Sequence, residues 1–126
     1  MAKAKIFVVE DTEDTRHLLE VLLRASGYEV QTAANMADAL RGAPGFGADV
    51  LLSDLGLPDG DGWQLIRALQ QAGCTPYAIA MSGFGTLADV TASKAAGFRH
   101  HLVKPIDWNL LKRLLDEACH VREGVR

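Results

Sequence analysis

Three acids, a lysine and a hydroxyl define the chemistry this sequence could carry. Glu10-Asp11 closes the apolar run Ile6-Phe7-Val8-Val9, and Asp54 closes Val50-Leu51-Leu52-Ser53. Ser82-Gly83 follows Tyr77-Ala-Ile-Ala-Met81, and Lys104-Pro105 follows His101-Leu102-Val103. Singly, each has an ordinary structural explanation as a cap, a turn or a solvated side chain. Together, Glu10, Asp11 and Asp54 bring three negative charges and Lys104 returns one. A hard divalent cation with oxygen ligands would neutralise that set; Mg²⁺ is the natural candidate and Mn²⁺ the alternative. Calcium fits less well, because Asp59-Gly60-Asp61-Gly62 lacks the acid spacing of a calcium loop and reads as a polar loop launching a helix. With a cation present, Asp54 is a candidate nucleophile toward phosphorus, forming an acyl phosphate. Lys104 would neutralise charge on the phosphoryl oxygens, the Ser82 hydroxyl would donate to them, and Gly83 would leave room for entry. Gly56 stands two positions after Asp54, and no histidine is evidently placed as acid or base, so hydrolysis should be slow. That pattern favours a switch over a metabolic phosphatase.

Bringing these residues together requires one sheet. The apolar runs ending at Val9, Asp54 and Ser82 suit strands buried on both faces, and His101-Leu102-Val103 is a weaker fourth. Tyr28-Glu-Val-Gln-Thr32 alternates as an edge strand does. Between them, Leu18, Leu19, Leu22 and Leu23 form a helical stripe stopped by Gly27. Leu65, Ile66 and Leu69 form another, and Leu110, Leu111, Leu114, Leu115 and Ala118 a third behind an Asp107 N-cap. Helices over about 35–42 and 86–96 are expected on largely alanine faces. Strand alternating with helix predicts an α/β fold, a doubly wound parallel sheet of five strands with helices on both faces. Sites in such sheets lie outside the carboxyl ends of the strands, where all the residues above converge.

The chain has 126 residues, 48% of them hydrophobic, with a formal charge of −3. This suits one domain over residues 1–126 and argues against nucleic acid as a direct ligand. Cys74 and Cys119 are expected as structural thiols in a reducing compartment. No apolar run approaches about 18 residues. Met1-Ala-Lys-Ala-Lys leads straight into a strand, so a cytoplasmic location without membrane insertion is expected.

The chain resembles the receiver domain of two-component response regulators over nearly its full length. The resemblance is carried by Val8-Val9-Glu10-Asp11, Asp54-Leu-Gly-Leu-Pro-Asp-Gly-Asp-Gly62, Met81-Ser82-Gly83 and Lys104-Pro105. It implies a flavodoxin-like fold with strand order 2-1-3-4-5 and phosphorylation of Asp54 by a histidine kinase or histidine phosphotransfer protein. It further implies Mg²⁺ bound by Glu10, Asp11, Asp54 and the backbone carbonyl of Gly56. Lys104 and Ser82 are then the phosphoryl contact and switch hydroxyl, and the Lys104-Pro105 peptide is cis. Two positions depart from the pattern. Glu10 stands where aspartate is commoner, which suggests contact with the metal through water. His101 occupies the usual aromatic switch position, where an imidazole can move as an aromatic ring does. The stretches Met81-Ser-Gly-Phe-Gly85 and 97–105 look like receivers fused to hybrid sensor histidine kinases, so the chain is read as either a stand-alone regulator or a piece of such a kinase.

By the same resemblance the domain is not an enzyme in its own right but a phospho-acceptor switch, although a longer parent could be a kinase. The helix over about 86–96 has few large apolar anchors, only Leu87 and Val90, and is expected to shift when Ser82 and the 83–86 loop are pulled toward the phosphoryl group. That helix, the last strand and the last helix would form the output surface for a downstream partner, while the kinase docks beside the first helix. Trp63 and Trp108 are expected to pack. Rival readings fit less well: a haloacid-dehalogenase-like phosphohydrolase needs an acid where Gly56 stands. A flavin module would not place Glu10-Asp11-Thr12-Glu13-Asp14 against a phosphate.

Overall fold

The computed structural model describes residues 3–83 and 85–123. Met1-Ala2 of the predicted lead, Phe84 of the Met81–Gly85 stretch and the last three residues of the expected domain lie outside them. In chain order the elements are β1 (Lys5–Val9), α1 (Glu13–Ala25), β2 (Glu29–Ala33), α2 (Met36–Phe46), β3 (Val50–Asp54), β4 (Gly56–Leu57), β5 (Gly60–Asp61), α3 (Gly62–Gln71), β6 (Tyr77–Ser82), α4 (Leu87–Ala96), β7 (His100–Val103) and α5 (Trp108–Glu123). Among the described residues, five strands form one sheet in the order β2-β1-β3-β6-β7, every pairing parallel. With the two-residue hairpin β4–β5 set aside, this is the expected order 2-1-3-4-5.

The three central strands are buried almost throughout because both faces are covered. Ile6, Val8, Leu52, Ile79 and Met81 pack under α1 and α5 through Leu19, Leu23, Leu111 and Leu115. Phe7, Val9, Leu51, Ala78 and Ala80 face α2, α3 and α4. Cys74 packs on this second side and Cys119 on the first, so the sheet separates the two thiols.

Helix starts follow their caps. Asn35 accepts from Asp38 N at 2.8 Å, Asp61 and Gln64 form a capping box, Thr86 accepts from Asp89 N, and Asp107 accepts from Asn109 N and Leu110 N. The 59–62 loop therefore does launch α3. It does more, since Asp59 accepts from Met36 N at 2.7 Å and Ala37 N at 3.0 Å and so ties the loop to the start of α2. Those bonds hold its carboxyl below the usual range.

Two sequence expectations need correction. Helix α2 runs past Gly42 to Phe46 and stops at Gly47, whose φ of 72° is the left-handed stop. Gly42 serves packing instead: a Cβ there would lie 3.1 Å from the Phe7 ring. Leu87 does not anchor α4; it is 82% exposed, and the helix buries only Ser93 and Ala96.

Candidate functional site

Backbone hydrogen bonds that prolong the ladder past the strand ends set the site. Glu10 N donates to Ala33 O at 3.0 Å, Leu55 N to Met81 O at 2.9 Å, and Lys104 N to Ser82 O at 2.8 Å. These bonds hold the residues just beyond β1, β3 and β7 in register, so Glu10, Asp11, Asp54, Ser82 and Lys104 share one sheet edge. Arg16 on α1 adds a bond from Nη1 to Glu10 O at 3.0 Å, fixing the acid loop from outside. The sequence offered no sign of that clamp beyond a basic residue one turn into the helix.

Glu10 is fully buried and Asp54 nearly so, whereas Asp11 is exposed. Lys104 bridges the buried pair, with Nζ at 2.6 Å from Glu10 Oε1 and 2.9 Å from Asp54 Oδ2. Desolvation pulls its ammonium down, but the bonds to Glu10 and Asp54 outweigh it, and the pKa stands above its ordinary value. Glu10 Oε2 also accepts from Thr12 N at 3.0 Å, so both its oxygens are engaged.

Glu10, Asp11 and Asp54 can each place one oxygen within 4.8 Å of the others. Octahedral magnesium at about 2.1 Å separates ligand atoms by roughly 3–4 Å, so a small inward turn of these side chains suffices. The donor set is all oxygen and the local charge is negative, so the residues fit Mg²⁺. Gly56 lies on the rim of a 500 Å³ cleft shared with Asp54, Leu55, Trp63, Ser82, Gly83, Asp89 and Lys104. At Gly83 a Cβ would meet nothing within 4 Å, which leaves the approach to Ser82 open. At Gly62 it would fall 2.8 Å from Asp54 O and 2.9 Å from Leu55 Cδ2. The first turn of α3 therefore presses against the Asp54 backbone, and only glycine allows it; the sequence reading did not single out this constraint.

His101 lies behind Ser82. Its Nε2 is 2.8 Å from Ser82 Oγ and its Nδ1 is 3.0 Å from Ser93 Oγ on α4. Trp63 Nε1 donates to the same Ser93 oxygen at 3.0 Å, so this indole is a polar contact as well as a packing group. The neighbouring His100 points to the opposite face, where its Nε2 lies 3.0 Å from both Tyr77 Oη and Glu117 Oε2. The Lys104-Pro105 peptide is cis.

On α1, Leu19 and Leu23 are buried while Leu18 and Val21 are exposed. With Thr15 and Leu22, Leu18 and Leu19 line a 560 Å³ groove closed by Lys104, Pro105, Ile106 and Trp108. No described helix is long and apolar enough to cross a membrane.

The family model of the response regulator receiver domain matches residues 6–116. An uncharacterized protein of Leptolyngbya boryana is 35% identical over 121 residues, covering 94% of this chain and 92% of its own length. The response regulator protein PilR of Pseudomonas aeruginosa is 32% identical over 97% of this chain, which spans only 27% of PilR. The solved structure of the chemotaxis response regulator CheY4 of Vibrio cholerae superposes with a TM-score of 0.81 at 30% identity, over 91% of this chain and 98% of that one. Sheet order, the acidic cluster at the carboxyl edge and these likenesses agree: the chain belongs to the response regulator receiver domains of two-component signalling.

Proposed function

We propose that Asp54 accepts a phosphoryl group from a phosphohistidine and that Mg²⁺ is required, held by Glu10, Asp11, Asp54 and the Gly56 carbonyl. The observation that carries this reading is Lys104 bridging two buried carboxylates beside a third, at the edge of an open cleft. In the transfer, an Asp54 carboxylate oxygen bonds to phosphorus as the phosphorus–nitrogen bond of the donor breaks, and the leaving imidazole takes up a proton. The bound cation supplies charge neutralisation for the phosphoryl oxygens. Lys104 exchanges its bond to Asp54 for one to a phosphoryl oxygen, and the Ser82 hydroxyl donates to another. Glu10 keeps its bond from Thr12 N and would lend its negative charge to the cation's site. Nothing at Gly56 directs a water, so the acyl phosphate persists and the domain acts as a switch, not a turnover enzyme.

The donor, a histidine kinase or histidine phosphotransfer protein, docks in the α1 groove, whose Leu18 and Trp108 border Lys104. The output surface is formed by α4, β7 and α5, with Leu87 and Val103 exposed for a downstream partner. The domain occupies residues 1–126 and works in the cytoplasm, either alone or within a longer signalling protein. Acetyl phosphate with Mg²⁺, read by intact mass, tests the central claim. Wild type should gain one phosphoryl group, EDTA should abolish the gain, and Asp54→Asn should show none. A metal-independent gain, or an equal gain in the variant, defeats the assignment.

A further inference from the structure

We propose that Asp59 is a positioning residue for the Mg²⁺ site: by clamping the tip of the β4–β5 hairpin to the first turn of α2, it holds the Gly56 carbonyl at the edge of the acid cluster. The proposal rests on the reading above that this carbonyl is a Mg²⁺ ligand, and it adds a residue that touches neither metal nor phosphoryl group.

Gly56 is the weakly supported member of that ligand set. Asp54 ends a buried strand, and Glu10 is held by Thr12 N and by Lys104. Gly56 is exposed, has no side chain to pack, and a Cβ built there meets nothing within 4 Å. The residue before it is fixed: Leu55 N donates to Met81 O at 2.9 Å, and Leu55 O accepts from Gly62 N at 2.8 Å. Beyond Leu55 the chain leaves the main sheet and pairs with itself, Gly56 with Asp61 and Leu57 with Gly60. An isolated two-stranded hairpin is marginal in water, so its tip, Pro58-Asp59, needs another support.

The Asp59 carboxylate supplies it. Oδ1 accepts from Met36 N at 2.7 Å and Oδ2 from Ala37 N at 3.0 Å, so each oxygen takes one of the first amides of α2, which have no helical carbonyl to bond. The negative charge also meets the positive end of the helix. Gly60 allows the close approach: a Cβ there would lie 2.8 Å from both Met36 Cε and Gln64 Oε1. Base and tip of the hairpin are thus fixed to different elements, β6 and α2, and Gly56 lies between them. Coupling of this kind is reciprocal: if the clamp favours the cation, the cation tightens the clamp.

Titration of the ¹⁵N-labelled full chain with Mg²⁺ alone, followed by amide NMR, gives the affinity, and solvent exchange of the Met36 and Ala37 amides reads the clamp. We expect Asp59→Ala to weaken Mg²⁺ binding about tenfold, the low end of what an outer support of a metal ligand is worth. Asp59→Asn removes the charge but keeps one acceptor, so it should fall between Asp59→Ala and wild type; it also keeps the test open if Asp59→Ala folds poorly. Asn35→Ala removes the other cap of α2, the side-chain bond from Asp38 N at 2.8 Å, and leaves the hairpin alone. Its Mg²⁺ affinity should stay within about twofold of wild type. In wild type, exchange at Met36 and Ala37 should slow when Mg²⁺ is added. Unchanged affinity in Asp59→Ala, an equal loss in Asn35→Ala, or exchange indifferent to Mg²⁺ overturns the proposal and leaves the metal reading standing. A wild type without saturable Mg²⁺ binding overturns the metal reading and this proposal with it.

Discussion

Replacing Lys104 with methionine removes the only ammonium bonded to the buried acids among the described residues and keeps the aliphatic stem. Two charge-assisted bonds are lost, at 2.6 and 2.9 Å. Each such bond contributes about 1.5–3 kcal/mol when shielded. The Lys104 side chain is 28% exposed while Glu10 is 0% exposed, so water screens one end of the pair and not the other. We expect a net loss of about 2–3 kcal/mol at pH 7 without Mg²⁺, or about 6–15 °C in Tm for a chain of this size. Chemical denaturation at several pH values is the assay. A lysine held above its ordinary 10.5 stabilises the fold in full below that value. The contribution disappears as pH rises through the folded pKa, so the gap between wild type and Lys104→Met should be flat through neutrality and close only in strong alkali. Mg²⁺ should stabilise the variant more than the wild type, since the cation then replaces the lost charge. A difference under about 0.5 kcal/mol, the size of an ordinary surface change, would refute the reasoning. So would a gap equally large at pH 7 and pH 12.

Gly62→Ala should cost about 1–3 kcal/mol by overpacking and slow acetyl phosphate loading, because the methyl pushes on the Asp54 carbonyl and Leu55; thermal melts and intact mass check both. Leu19→Ala should cost about 2–5 kcal/mol, whereas Leu18→Ala, at a position 56% exposed, should stay within about 0.5 kcal/mol in urea denaturation. Burial, then the bond and charge of Glu117, push Tyr77 up to about 12, so ultraviolet titration should show its phenolate only near that pH. Stability from Tyr77 is then complete below pH 10 and lost as pH climbs through 12. Tyr77→Phe should return the Glu117 carboxyl, held low by Tyr77 and His100, toward the ordinary range in NMR titration.

Much of this was legible because the sheet is buried on both faces. Continuous apolar runs mark β1, β3 and β6, and the residue just past each run is the one that reaches the edge. Pattern reading failed where tertiary contact decides. Gly42 carries a stop signal by type, yet its lack of a side chain answers to Phe7, far away in sequence. Asp59 and Asp61 look alike in one loop, but Asp61 caps its own helix and Asp59 the start of another. Leu18 and Leu19 are equally apolar, and only the angle of α1 on the sheet leaves the first exposed and buries the second. The hydrogen bonds linking Trp63, Ser93, His101 and Ser82 join partners up to 30 positions apart through an alanine-rich helix face, where a single serine carries no periodic signal.

Strand β7 has one further consequence. His100 turns to Tyr77 and Glu117 of α5, while His101 turns to Ser93 of α4. Two adjacent residues thus bind the same strand to opposite helical layers, one away from the cleft at Asp54 and one on the side of Ser82. Either tether can be cut without removing the other, so β7 stands as a partition wall anchored separately on each side.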